Sequence, residues 1–176
     1  MVYYKAFDKD LRGYNGFQFE VGKTYTHESD DSWIWFHYTH YLQVALWTYT
    51  NVDTRFCIVE PLGKRQYYSK QDFPIGRFWS TQKIRIVREL SREEVFEILF
   101  KEHTPFWLMN ALKPPFEVLW RYSPRRIVGD CVFDEIVRQR DDFTLKQKKT
   151  LMPKKYHRLA DIYEEVREIK EKMNAV

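Results

Sequence analysis

An α+β architecture follows from three features of the chain. Apolar residues alternate with period two in several segments up to Leu90 and recur every three or four residues beyond it. These are the signatures of strands and of helices respectively. Aromatic residues make up 18% of the sequence and crowd into Trp33–Tyr49, where seven of seventeen positions are Trp, Phe or Tyr and none is Asp, Glu, Lys or Arg. Each such ring brings roughly 150–250 Å² of surface that must be buried or docked, so this run is the expected centre of an N-terminal core. A length of 176 residues suits one domain with an extension and can bury a core without covalent staples. The expectation is a small, mainly antiparallel sheet with an aromatic-rich helix over residues 1–90, followed by a C-terminal helical extension, residues 91–176, packed on it.

Residues 2–7, VYYKAF, are β-prone and read as the first strand. Asp8, Asp10, Gly13, Asn15 and Gly16 supply turn chemistry. Phe17, Phe19 and Val21 then alternate with Gln18, Glu20 and Gly22, predicting a half-buried strand or ribbon that Lys23–Tyr25 continues. His27–Ser32 is a polar loop, and Trp33–Phe36 reads as a short buried strand. After Thr39, a candidate cap, Leu42, Ala45, Leu46 and Tyr49 mark one face of a helix that ends near Asn51. Arg55–Glu60 is a strand stopped by Pro61 and Gly63, and Arg65–Tyr68 is a shorter one. Gln71–Gly76 is a loop broken by Pro74 and Gly76. Lys83–Leu90 closes the first part with Ile84 and Ile86 on one face.

Ser91 and Glu94 form a capping-box pattern ahead of a helix that buries Val95, Phe96, Leu99 and Phe100. Thr104 and Pro105 predict a second helix start, with a short helix over Phe106–Leu112 ended by Pro114 and Pro115. Phe116–Tyr122 fits strand or helix. Asp130 is placed to cap a helix presenting Val132, Phe133, Ile136 and Val137, and Thr144 with Gln147 repeats the capping-box pattern. The last segment, from Lys154 to about Met173, carries Leu159, Ile162, Val166, Ile169 and Met173 at spacings of 3, 4, 3 and 4, a heptad seam. It packs either on its own protein or on a second copy, as a homodimer through Leu159, Ile162, Val166 and Ile169.

The first half carries a resemblance. Tyr4-Lys5-Ala6-Phe7-Asp8-Lys9-Asp10-Leu11, followed by Gly16-Phe17-Gln18-Phe19-Glu20-Val21-Gly22-Lys23-Thr24-Tyr25, resembles the opening of a poorly characterised domain family common in bacteriophage proteins. Arg55-Phe56-Cys57-Ile58-Val59-Glu60 and Lys83-Ile84-Arg85-Ile86-Val87-Arg88-Glu89 are similar to its later strands. The likeness spans residues 3–90 and implies phage or prophage origin. Where the family pattern has a Gly-Phe-His-Phe-Cys type segment, this chain has Ile34-Trp35-Phe36-His37-Tyr38, so a site formed there by the family is lost or remodelled here.

The residue inventory excludes several chemistries. Cys57 and Cys131 are the only cysteines, stand far apart in apolar surroundings and read as buried thiols of a reducing cytoplasm. His37 and His40 are spaced for one helical face, but zinc needs three or four ligands and no third is in sequence; no metal and no cofactor is expected. No Ser-His-Asp or Cys-His set, G-x-S-x-G elbow or Gly-rich phosphate loop is present. The order of elements is loosely similar to ADP-ribosyltransferase-like folds, which casts Lys5, Tyr38 and Glu60 as an alternative catalytic trio by fold analogy alone. No apolar run approaches the ~18 residues of a membrane span, and the charged N-terminus does not read as a signal peptide.

Charge says more. The net charge of +4 neither requires nor excludes a nucleic-acid partner. Between Thr144 and Ala160, Lys146, Lys148, Lys149, Lys154, Lys155 and Arg158 occur without an intervening acid. Arg121, Arg125 and Arg126 cluster beside Trp120 and Tyr122. Lysines displace counterions from phosphates, and arginine with aromatic neighbours stacks on bases. The bland alternative is a solvated helix face, offset by or paired with the net-acidic segment Asp161–Lys172. The leading expectation is a non-enzymatic phage accessory protein that blocks a host defence protein or ribonucleoprotein, such as an anti-CRISPR inhibitor. Direct DNA or RNA binding through the same basic residues is the second.

Overall fold

The computed structural model describes residues 1–68, 77–122, 136, 140–152 and 154–175. They divide into two compact units, Met1–Lys113 and Pro114–Val176. Strand gives way to helix at Leu90/Ser91 as expected, but the first unit runs on through two further helices. The architecture is α+β.

Among the described residues, seven strands form the sheets of the first unit: β1 Tyr3–Phe7, β2 Thr24–Thr26, β3 Phe36–Tyr38, β4 Arg55–Pro61, β5 Arg65–Tyr68, β6 Phe78–Thr81 and β7 Lys83–Glu89. A four-stranded sheet has the order β1-β4-β7-β2 and a three-stranded sheet the order β3-β6-β5. Every strand pair is antiparallel. The chain crosses from the first sheet to the second between β4 and β5 and returns between β6 and β7. Gln82 N–H donates to the Lys64 carbonyl at 3.1 Å, tying the two crossings together. A Cβ on Gly63 would meet the Lys83 backbone nitrogen at 2.8 Å, so the outward crossing needs glycine there.

The two sheets bury a shared core of Phe7, Leu11, Phe19, Phe36, Tyr38, Cys57, Val59, Ile84 and Ile86. Alternation along each strand selects these residues: Ile84 and Ile86 are fully buried while Lys83, Arg85 and Val87 are exposed. The rings meet edge to face, Phe7 on Phe19 at 5.1 Å and Phe19 on Phe36 at 5.8 Å, a geometry their quadrupoles favour.

Helix α1, Leu42–Thr48, lies on β1 and against α2, Arg92–Lys101, and α3, Phe106–Asn110. Leu42, Ala45 and Leu46 face inward, as their spacing predicts, and Trp47 on the opposite face is 43% exposed. The Ser91–Glu94 capping box is present, with Arg88 beside Glu94 holding its carboxyl down to about 2. Val95, Phe96, Leu99 and Phe100 are buried.

Five sequence expectations need correction or extension. Residues 17–21 form a minimal ribbon and not a full strand: one antiparallel bridge joins Arg12 to Gln18, flanked by bonds from Gly13 N–H to the Phe17 carbonyl and from Phe19 N–H to the Leu11 carbonyl, and Phe19 is buried while Phe17 and Val21 are exposed. The short strand at the start of the aromatic run is displaced to Phe36–Tyr38, because Asp31 caps a 3-10 turn over Ser32–Ile34 that leaves Trp33 and Ile34 exposed. Strand β6, Phe78-Trp-Ser-Thr, has too few residues to show a period and was not anticipated. Thr104 does not cap α3; Pro105 occupies that position without a side-chain bond. The expected loop Gln71–Gly76 and most of the helix after Asp130 lie outside the described residues, although Ile136 is buried.

The fifth concerns α1. Its N-cap, Tyr41, makes no side-chain capping bond, and the Thr39 hydroxyl accepts from Tyr41 N–H ahead of the helix while donating to the Arg77 carbonyl. The cap comes instead from Glu102 at the end of α2, whose two carboxylate oxygens accept from Leu42 and Gln43 N–H at 2.8 Å each. A carboxylate there complements the positive end of the helix. Replacing it by alanine leaves buried amide donors unsatisfied. Glu102→Ala is expected to cost roughly 1–3 kcal/mol in urea unfolding, with Glu102→Gln recovering part of the loss.

In the second unit, α4 spans Phe116–Tyr122, α5 Leu145–Leu151 and α6 His157–Asn174. A 3-10 turn over Lys154–Tyr156 leads into α6. The Thr144–Gln147 capping box opens α5.

Candidate functional site

Lys5 stands on the core face of β1, opposite Cys57 in register. Its ammonium donates to the His37 carbonyl at 3.1 Å and lies 5.5 and 5.7 Å from the Phe7 and Phe19 ring centres. Burial lowers its pKa to about 8. His37, on β3, packs edge to face against the stacked rings of Tyr68 and Phe78, and burial followed by the nearby Lys5 charge depresses it to about 4. Tyr38 is buried on the other face of β3, stacked on Trp79, and its phenol is pushed up to about 12 by burial.

This placement separates the residues of the alternative catalytic trio. Lys5 and Tyr38 both belong to the inter-sheet core region, whereas Glu60 follows the core residue Val59, points to the opposite face and is exposed beside Arg85 at 3.9 Å. His37 and His40 are likewise not on one helical face. His40 packs on the rings of Tyr3 and Trp79, on the Tyr38 side of the sheet. Among the described residues no three His, Cys, Asp or Glu side chains gather at metal-binding distance. Cys57 is buried, and burial raises its thiol to about 12; Cys131 lies outside the described residues.

An open cleft of about 340 Å³ lies along β4, β7 and α2 of the first unit. Its two guanidinium groups are already engaged. Arg55 forms a two-pronged pair with Glu89, at 2.7 and 2.5 Å. Arg92 donates to the Val52 and Leu112 carbonyls and lies over Phe96. The cleft is thus braced by its own polar groups.

The basic residues of the second unit separate into two sets. Lys148 is fully buried and pairs with Glu164 at 2.7 Å; Arg167 reaches the same carboxylate at 2.7 Å. Lys149 is half-buried and pairs with Asp161. The acidic segment of α6 therefore takes up two of the six basic residues of the run, and these ion pairs join α5 to α6. Lys146, Lys154, Lys155 and Arg158 are exposed. Lys146, Lys149 and His157 line a shallow depression with Leu145 and Thr150. Lys154 and Lys155 form the turn into α6, and Arg158 lies in its first helical turn. Arg121 is exposed on α4 beside Trp120, while Arg125 and Arg126 lie outside the described residues.

Sequence reasoning missed one component of this corner. Helix α6 begins without a side-chain cap and without an acid in its first turn. The positive end of its dipole adds to the surrounding cations. The missing acid at the start of the helix was the available signal.

A family model described as a domain of unknown function (DUF7666) matches residues 1–98. The chain belongs to this uncharacterised domain family, and the residues that carry the resemblance, 3–90, fall inside the matched span. No curated protein matches the chain, and no solved structure does. Among the described residues no helix is long and apolar enough to cross a membrane.

Two expected outcomes test these assignments. The folded pKa of His37, about 4, lies below its ordinary 6.5, so the folded chain binds fewer protons between those values and loses stability as pH falls through them. The loss is on the order of 3 kcal/mol, and urea midpoints should fall less steeply over that range in His37→Gln. For the ion pair, Lys148→Met leaves Glu164 buried without its lysine and should destabilise by roughly 3–5 kcal/mol. The double variant Lys148→Met, Glu164→Leu should recover most of that by the same measurement.

Proposed function

We propose that this chain is a non-enzymatic accessory protein that works by binding an acidic surface on a host protein or ribonucleoprotein and blocking it, as an anti-CRISPR or other anti-defence inhibitor does. The observation that carries the reading is the cationic corner at the start of α6, where Lys146, Lys154, Lys155 and Arg158 surround a helix N-terminus without a side-chain cap. Cations at that end of a helix oppose the dipole in the free protein. An anionic surface relieves this opposition. The resemblance of residues 3–90 to a bacteriophage domain family supports a host-cell partner, and the engaged Arg55 and Arg92 of the first-unit cleft favour recognition over chemistry.

Direct contact with DNA or RNA is the second reading, favoured by the same four cations and by Arg121 beside exposed Trp120, since aromatic side chains stack on bases. Affinity purification from host lysate, with proteins and nucleic acids both identified, separates the two. The expected result is a protein or nucleoprotein partner that no longer binds when Lys146, Lys154, Lys155 and Arg158 are together changed to Gln. Retention by that variant, or recovery of no defence component together with no protection of phage from immunity, rejects the inhibitor reading. If nucleic acid alone binds, the slope of log affinity against log salt should fall by roughly 3–4 in the variant, at ~0.9 for each phosphate that a cation ceases to neutralise.

A further inference from the structure

Helix α6 holds its own unit with its polar side. Ala160 and Glu164 are its buried residues, and Asp161, Glu164 and Arg167 make its ion pairs. The apolar stripe faces outward: Leu159 is 49% exposed, Ile162 45%, Val166 44%, Ile169 57% and Met173 73%. A helix that closes its own core is arranged the other way, with the apolar stripe inside. A continuous exposed apolar stripe marks a surface that another molecule covers.

We propose that this stripe is covered by α6 of another copy of the chain, running parallel and in register. The heptad places Leu159, Val166 and Met173 at a and Ile162 and Ile169 at d. In a parallel pair, a g side chain faces the e side chain five residues further on in the partner helix. Glu165 stands at g and Lys170 at e, so each copy's carboxylate meets the other's ammonium, twice over. Arg158, also at g, meets the ring of Tyr163. Neither Glu165 nor Lys170 belongs to the ion-pair network that binds the helix to its own unit among the described residues. The antiparallel register of full overlap instead sets Glu165 against Glu165 and Arg158 against Lys172. Such flanking charges choose partner and orientation in paired helices.

The seam is only about two and a half heptads, short for free peptides. Here the helix is already ordered by its ion pairs, so association does not bear the entropy of forming it. Parallel pairing also brings the cationic corners to one end, and their repulsion, screened over ~8–10 Å, opposes the seam. A dissociation constant on the order of 1–100 µM fits an interface at the low end of the size range. Isoleucine at both d positions admits three or four helices as well as two, with the same residues buried.

Sedimentation equilibrium on the full chain tests this. The mass is expected to rise with concentration from 21.6 kDa to twice that value or a higher multiple. Ile162→Asp with Ile169→Asp, both exposed sites, should hold it at the monomer mass with the helical circular dichroism unchanged. Glu165→Lys should weaken association by roughly tenfold, and adding Lys170→Glu should restore it. A constant 21.6 kDa at the highest attainable concentration overturns the proposal, as does association that survives the two aspartates. Failure of the second charge change to rescue the first overturns the parallel register.

Discussion

The first unit depends on the burial of Phe36 and Tyr38 of β3 against Phe7, Phe19, Cys57 and Ile86 in the core shared with the larger sheet. Strand β3 has three residues and offers few backbone bonds with which to hold a sheet. Two rings on one face give it far more apolar area than its length suggests. Their burial brings the three-stranded sheet onto the four-stranded one and makes the crossings at Gly63 and Gln82 necessary. It also explains Lys5, whose ammonium is enclosed among rings and satisfied by the His37 carbonyl. A charge held there without a carboxylate is tolerated because the aromatic faces carry partial negative charge.

The second unit is built on another principle. Its interior holds Arg140, Lys148 and Glu164. Arg140 lies 3.8 Å from the centre of the Phe143 ring, pairs with Asp142 and donates to the Pro114 carbonyl. Buried ions of this kind contribute little net stability, because desolvation offsets their attraction, but each becomes costly when its partner is removed. The same arrangement turns the apolar side of α6 away from its own unit. The polar contact inside and the exposed stripe outside are two sides of one helix.

Much of the fold was legible because local patterns carried it. Leu42, Ala45 and Leu46 in α1, Ile84 and Ile86 in β7, and the Ser91–Glu94 and Thr144–Gln147 boxes each express a rule that acts within four residues. The misreadings came where a distant partner outweighed the local pattern. Phe17-Gln-Phe-Glu-Val alternates like a strand, yet its antiparallel pairing with residues 11–13 extends over a single bridge, Arg12 to Gln18. Thr39 is a good capping residue in sequence, but Glu102, sixty positions on from Leu42, holds the start of α1 instead. Of the basic run, Lys148 and Lys149 look like their neighbours on paper and differ in having Glu164 and Asp161 opposite them.

Residue order was enough to establish the mixed architecture, the positions of most strands and helices, the heptad spacing of the last helix and the concentration of positive charge ahead of it. These depend on periodicity and composition, which need no knowledge of distant contacts. The arrangement of the two sheets around one aromatic core, the set of lysines that stay exposed, and the outward direction of the apolar stripe could be settled only by folding in three dimensions. Each depends on which side chain, far away in the chain, arrives to satisfy a charge or cover a ring.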